Sequence, residues 1–144
     1  MKKILIINGP NLNLLHLRNK VVYGSEGLDK ISNDCQEVAK QIGVEINFVQ
    51  SNHEGEIIEL VQNAINNFDG IIINGAGFTH TSVAIRDALE IFQGPKIELH
   101  ISNIFKREDF RHHSFFSAVV DGVISGLGSN GYTIALLAIH NLIK

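Results

Sequence analysis

Apolar runs and helical repeats alternate along this chain from end to end, and few folds accommodate that order. The short apolar runs at residues 3–7, 44–49, 70–73, 96–100 and within 118–124 read as strands. Helical patterns stand between them. Leu28, Ile31, Cys35, Val38 and Ile42 recur at spacings of three and four and stop at Gly43. Ile57, Val61, Ala64, Ile65 and Phe68 mark a second helix, with Glu54 and Glu56 near its start, where the helix dipole favours acids. Residues 82–92 form a third. Residues 132–143 form a closing helix, apolar round most of its circumference, which places it inside the core or at a subunit interface. Alternation of this kind predicts a parallel sheet covered on both faces through right-handed crossovers. The expected fold is α/β: a flavodoxin-like three-layer sandwich with a five-stranded parallel sheet in the order 2-1-3-4-5. Ligands of such sheets bind at the carboxyl ends of the strands, near the switch point between strands one and three.

At 144 residues the chain reads as a single domain, 1–144, long enough to bury a proper core. Its net charge of −3 argues against a nucleic-acid binder. An anionic small molecule is not excluded, because a few arginines focused in a cleft outweigh the global sign. Cys35 is the only cysteine, so there is neither an internal disulfide nor a multi-cysteine metal site. The apolar run in MKKILIINGP is too short for a signal peptide or a membrane span, and a cytoplasmic protein is expected.

Function-capable groups crowd into the loops after strands one, three and four. Residues 8–24 carry Asn8, Asn11, Asn13, Arg18 and Tyr23, with Leu12, Leu14, Leu15 and Leu17 threaded among them. Leucines that can bury themselves argue against disorder, so the stretch reads as a loop over an active site, with a lid at about 16–24. The third strand runs into Asn74-Gly75-Ala76-Gly77-Phe78-Thr79-His80. The fourth ends in Glu98-Leu99-His100 and continues as Ile101-Ser102-Asn103. The fold would bring all three loops to one edge of the sheet. Glu98 and His100, two residues apart on a strand, share a face, and the carboxylate can orient the imidazole and hold it charged.

Other signals carry less. Gly126-Leu-Gly-Ser-Asn-Gly131 matches a dinucleotide fingerprint, but no later strand supplies the acidic residue that the fingerprint needs; close helix–strand packing explains its glycines. His112 and His113 are adjacent, point apart and lack a carboxylate or cysteine cluster, so no metal site is expected. Ser114 lacks the setting of a nucleophile elbow. His53 and Glu54 shape the turn before the second helix, and His140 packs in the last one. A flavin- or nucleotide-binding module is the competing class. Its first loop would be rich in Ser and Thr for phosphate, whereas residues 8–23 contain neither.

The motifs NGPNLNLL (8–15), Arg18 with YGS (23–25), QSNHEGE (50–56), NGAGFTHTSVAIRDAL (74–89), IELHISN (97–103) and FRHHSFFS (110–117) occur in this order over nearly the whole chain. In them the chain resembles the type II 3-dehydroquinate dehydratases. The resemblance implies a hydro-lyase that converts 3-dehydroquinate to 3-dehydroshikimate by acid–base elimination through an enolate. It implies no metal and no organic cofactor, a place in the shikimate pathway of aromatic amino acid biosynthesis or in quinate breakdown, and a homo-oligomer, typically a dodecamer built as a tetramer of trimers. Residue by residue, it makes Tyr23 the base and His100 the general acid. A free tyrosine ionises only near pH 10, so such a base needs a cation beside it, and Arg18 is at hand. By the same resemblance Asn11 stabilises the enolate by way of a water. The backbone amides of Ile101 and Ser102 take the substrate carboxylate. Asn74, His80 and Arg111 hold its hydroxyls, and Asp87 reaches the neighbouring site within the trimer. Arg107 reads equally as a surface charge and as a lid residue. The chain departs from the common pattern at His16-Leu17-Arg18-Asn19-Lys20, where many members carry a Gly-x-Arg-Glu-Pro segment. Without the proline the lid backbone is freer.

Overall fold

The computed structural model describes residues 1–24 and 26–143, so Ser25 of the YGS motif and the terminal Lys144 lie outside the described residues. Five strands form one sheet: β1 (Lys3–Asn8), β2 (Glu45–Gln50), β3 (Gly70–Asn74), β4 (Lys96–His100) and β5 (Gly122–Ser125). All neighbours are parallel and the order is β2-β1-β3-β4-β5, as the alternation of runs and repeats predicts.

Successive side chains on a strand point to opposite faces, and this chain uses that alternation to build two cores. Ile4, Ile6, Ile72, Ile97 and Leu99 pack on one face under α2 (Leu28–Ile42) and α5 (Asn130–Leu142). Leu5, Ile7, Ile71 and Ile73 pack on the other under α3 (Glu54–Ala64) and α4 (Val83–Ile91). Because Ile97 and Leu99 face α5, Glu98 and His100 must face the α3–α4 side. Both are buried there. β1 and β3 are buried on both faces, which is why they read as apolar runs, whereas β4 is equally buried but alternates Ile97 and Leu99 with the polar Lys96, Glu98 and His100.

Helix ends follow local chemistry. The αL conformation of Gly43 (φ 76°) terminates α2, and the Ser82 hydroxyl caps α4 by accepting from the Ile85 amide. Lys96, buried at the amino end of β4, donates its Nζ to the Leu89 and Phe92 carbonyls at the end of α4. That puts the one buried lysine among the described residues at the far edge of the sheet from the loops rich in polar groups. Cys35, on the inner face of α2, is fully buried, and burial pushes its thiol up to about 12.

Three segments differ from expectation. The fifth strand takes up only the end of its expected stretch and runs one residue past it, Gly122–Ser125, because Ser117–Val119 close into a 3₁₀ turn that seats Phe116 and Val119 against the α3–α4 core. The second helix ends at Ala64, with Asn66 in a left-handed conformation (φ 69°), although Ile65 and Phe68 still pack on the core. The stretch after β1 is not plain loop: Leu12–Leu17 form 3₁₀ turns, and α1 (Lys20–Tyr23) is a single helical turn capped by the Asn19 side chain. Of its leucines only Leu12 and Leu15 are buried; Leu14 and Leu17 stay exposed. On α5, Ile134, Leu137 and Leu142 are likewise exposed, so the closing helix is only half sandwiched.

Candidate active site

The carboxyl ends of β1, β3 and β4 open into one pocket, where the switch-point rule places it. The loop after β1 supplies Asn11, Arg18 and Tyr23, that after β3 supplies Asn74 and His80, and that after β4 supplies His100, Ile101, Ser102 and Arg111. Two glycines let these loops approach. A Cβ on Gly9 would lie 2.4 Å from the Gly75 carbonyl oxygen, and the Gly9 amide donates to the Asn74 carbonyl at 2.8 Å. Asn11 sits in the left-handed region (φ 70°), and its amide donates to the Asn52 side chain, which also accepts from Gln50. Gln50 donates in addition to the Gly9 carbonyl. The QSN segment at the end of β2 therefore props the first loop.

Tyr23 is half-buried between two cations. The Arg18 guanidinium donates to its hydroxyl at 2.6 Å and stacks 4.0 Å from the ring centroid. Arg107 approaches the same ring to 5.1 Å and donates to the Ser102 hydroxyl at 3.3 Å. Arg107 thus belongs to the pocket rather than to the general surface. It was the residue on which the sequence was undecided.

Across the pocket, His100 Nε2 lies 2.5 Å from Glu98 Oε2. The pairing to a carboxylate puts a proton on Nε2. Among the described residues Nδ1 has no partner, and Thr79 Oγ1 is the only side-chain N or O atom among them that is sealed from solvent without one. His100 Nδ1 is therefore reachable from the pocket. Burial of Glu98 opposes its ionisation, but hydrogen bonds from His100, Ser117 and Ser114 together with the imidazole charge outweigh that and hold the carboxyl below its ordinary value. His80 stacks on His100, with centroids 6.3 Å apart, and donates Nδ1–H to the His113 carbonyl. Burial, only partly offset by that bond, pushes His80 below its usual value, so its Nε2 is a neutral acceptor toward the pocket.

The Asn74 amide is fixed by bonds on both ends. Its Nδ2 donates to the Tyr132 hydroxyl, which donates to Asn8 Oδ1, and its Oδ1 accepts from the Ala76 amide. Just past β4, the amides of Ile101 and Ser102 donate to no acceptor among the described residues, which leaves two adjacent N–H groups for an anion. Arg111 is steered by Glu108, to which its Nε donates at 2.6 Å.

Nine of the eleven residues singled out from the sequence thus line one pocket, and Glu98 backs His100 from within the sheet. Asp87 does not join them. It lies exposed on α4 beside Arg86. Sequence reading missed Ser114 and Ser117, both bonded to Glu98 Oε1, and the buried Tyr132. Only the FRHHSFFS motif pointed to the serines, and it did not say what they touch. Where the Gly-rich stretch enters α5, a Cβ on Gly131 would lie 2.8 Å from Leu99 Cδ1, which is helix–strand packing.

An arginine-bonded tyrosine facing a carboxylate-bonded histidine across one pocket is the arrangement of an α/β enzyme suited to acid–base chemistry. The family described as Dehydroquinase class II matches residues 2–140. A 3-dehydroquinate dehydratase from Bartonella tribocorum is 54% identical over 133 residues, which is 92% of this chain and 89% of that protein. The crystal structure of a type II dehydroquinase from Butyrivibrio crossotus superposes with a TM-score of 0.93 at 47% identity, covering 96% of this chain and 97% of that one. The type II dehydroquinase of Propionibacterium acnes gives 0.94 at 38% identity over 98% and 97%. This chain belongs to the class II dehydroquinase family.

Proposed function

We infer that the chain dehydrates 3-dehydroquinate to 3-dehydroshikimate as a hydro-lyase of the shikimate pathway. The observation that carries the reading is the 2.6 Å Arg18–Tyr23 bond facing the Glu98–His100 pair across one pocket. Tyr23, as a phenolate stabilised by Arg18, takes the proton from the carbon next to the ketone. The electron pair enters the carbonyl as an enolate, which Asn11 stabilises by way of a water. Collapse of the enolate forms the ring C=C and breaks the C–O bond, and His100 Nδ1 delivers a proton to the departing hydroxyl, which leaves as water. Glu98, bonded to His100 Nε2, orients the imidazole so that Nδ1 faces the pocket.

The binding roles follow the same geometry. The free amides of Ile101 and Ser102 suit the substrate carboxylate, and Asn74, His80 and Arg111 suit its hydroxyls. Asp87, exposed on α4, is free to reach a neighbouring subunit's pocket in a trimer, and four such trimers make the dodecamer. The reading takes residues 1–144 as one catalytic domain closed by a lid at about 16–24, in the cytoplasm. No helix among the described residues is long and apolar enough to cross a membrane, which fits that location.

The deciding experiment follows ultraviolet absorbance of the purified protein with 3-dehydroquinate and no added metal or cofactor. Growth of the conjugated enone absorption is the expected result. A folded protein that leaves the substrate unchanged overturns the reading and turns attention to His16–Lys20. Borohydride trapping of substrate on any lysine would replace the enolate route by a Schiff base.

A further inference from the structure

Glu98 is fully buried, yet it is held as an anion, and a buried carboxylate stays charged only if its oxygens are occupied. One oxygen, Oε2, faces His100. The other, Oε1, accepts two hydroxyls from a single short segment: Ser117 Oγ at 2.7 Å and Ser114 Oγ at 3.0 Å. The neighbouring strands offer nothing instead, since Glu98 stands in register with Ile73 on β3 and Val123 on β5. We propose that Ser117, assisted by Ser114, is a positioning residue of the reaction, which holds Glu98 by Oε1 so that Oε2 stays aimed at the His100 imidazole.

The two serines are not equivalent. A hydroxyl has one proton to give and two lone pairs to accept with. Ser114 uses all three: it donates to Glu98 and accepts from the Phe116 and Ser117 amides, so it also ties the turn that seats Phe116. Ser117 Oγ makes a single bond, to Glu98. It is the cleaner probe, because removing it leaves the backbone of the turn bonded.

The inference rests on the dehydration reading above, and its consequence is a pH effect of definite sign. With fewer donors the carboxylate is harder to keep ionised, so Glu98 takes up a proton at a higher pH and the low-pH side of the activity profile moves up. The other charged or titratable groups around the pair are His80 from the turn after β3, Arg107 and Arg111 from the segment after β4, and Arg18 and Tyr23 from the first loop. Ser117→Ala leaves all of them in place.

The test measures kcat and KM against pH for wild type, Ser117→Ala, Ser117→Thr, Glu98→Gln and the double variant Glu98→Gln/Ser117→Ala. Ser117→Ala should move the acid limb of kcat up by about one pH unit and lower kcat about tenfold, with KM within about twofold. Ser117→Thr, which restores the hydroxyl, should return both toward wild type, and Ser117→Ala should have no further effect on kcat in the Glu98→Gln background. Carboxyl carbon NMR of Glu98 should show the same upward titration in the free protein. An acid limb and a carboxyl titration that both stay at wild-type positions in Ser117→Ala overturn the proposal, as does an equal loss in the Glu98→Gln background. A wild-type protein without turnover would sink the dehydratase reading instead, while the carboxyl titration would still judge the serine.

Discussion

At the scale of single residues, the site separates groups that need a charge neighbour from groups that need a fixed pose. Tyr23 belongs to the first kind. Tyr23→Phe removes the hydroxyl and the Arg18 bond but keeps the ring between its two guanidinium groups. Steady-state kinetics should show kcat lower by about 10²–10⁴-fold, the usual worth of a positioned base, with thermal stability hardly changed. A near-native kcat would remove Tyr23 from the role of base. Tyr132 belongs to the second kind. It is buried and joins Asn8 to Asn74, and burial raises its pKa, keeping it a neutral donor. Tyr132→Phe strands Asn8 Oδ1 and Asn74 Nδ2 without their partner, at a cost of about 2–4 kcal/mol in urea unfolding. Turnover should fall as well, because Asn74 loses one of the two bonds that fix it. A stability loss under about 0.5 kcal/mol would mean that relaxation or water satisfies both groups. The sequence showed Tyr23, Arg18, Glu98 and His100 because each lies near its partner in the chain. It could not show Ser117 or Tyr132, whose partners are 19 and 124 residues away.

At the scale of elements, the runs and repeats gave the strands, their order and the helices, since burial on two faces leaves a direct trace in composition. Boundaries were less legible. Within 118–124 the strand is confined to the last few residues because Phe116 and Val119 pack on the α3–α4 core as a turn, a tertiary gain that no local pattern records. Glycines show the same division. Gly131 on α5 faces the flexible end of Leu99, which can shift, and alanine is the better helix former by about 0.5–1 kcal/mol. Gly131→Ala should therefore change stability by no more than about 1 kcal/mol. Gly9 faces the Gly75 carbonyl, which is backbone and cannot yield alone. Gly9→Ala should cost about 3 kcal/mol or more and push the loops after β1 and β3 apart, lowering kcat/KM. If the two substitutions destabilise equally, the close approach of those loops is not what Gly9 secures.

At the scale of the whole molecule, the net charge of −3 hides a strong asymmetry. Arg18, Lys20, Lys106, Arg107 and Arg111 all border the pocket or the groove beside it. A carboxylate substrate should be drawn in by this local field despite the overall sign. Raising ionic strength from about 0.01 M to about 0.3 M shortens the screening length several-fold, so kcat/KM should fall severalfold while kcat holds. Lys20→Gln should flatten that dependence; a kcat/KM that ignores salt would confine these cations to short-range contacts. Cys35 matters at this scale too. As the only thiol, fully enclosed and hard to ionise, it gives the protein a chemically silent surface. Val21, on α1 and 96% exposed, is then an ideal attachment point. Under native conditions Val21→Cys should take up a single maleimide fluorophore within minutes and wild type none, which would place one label on α1 beside the pocket without touching the groups that line it.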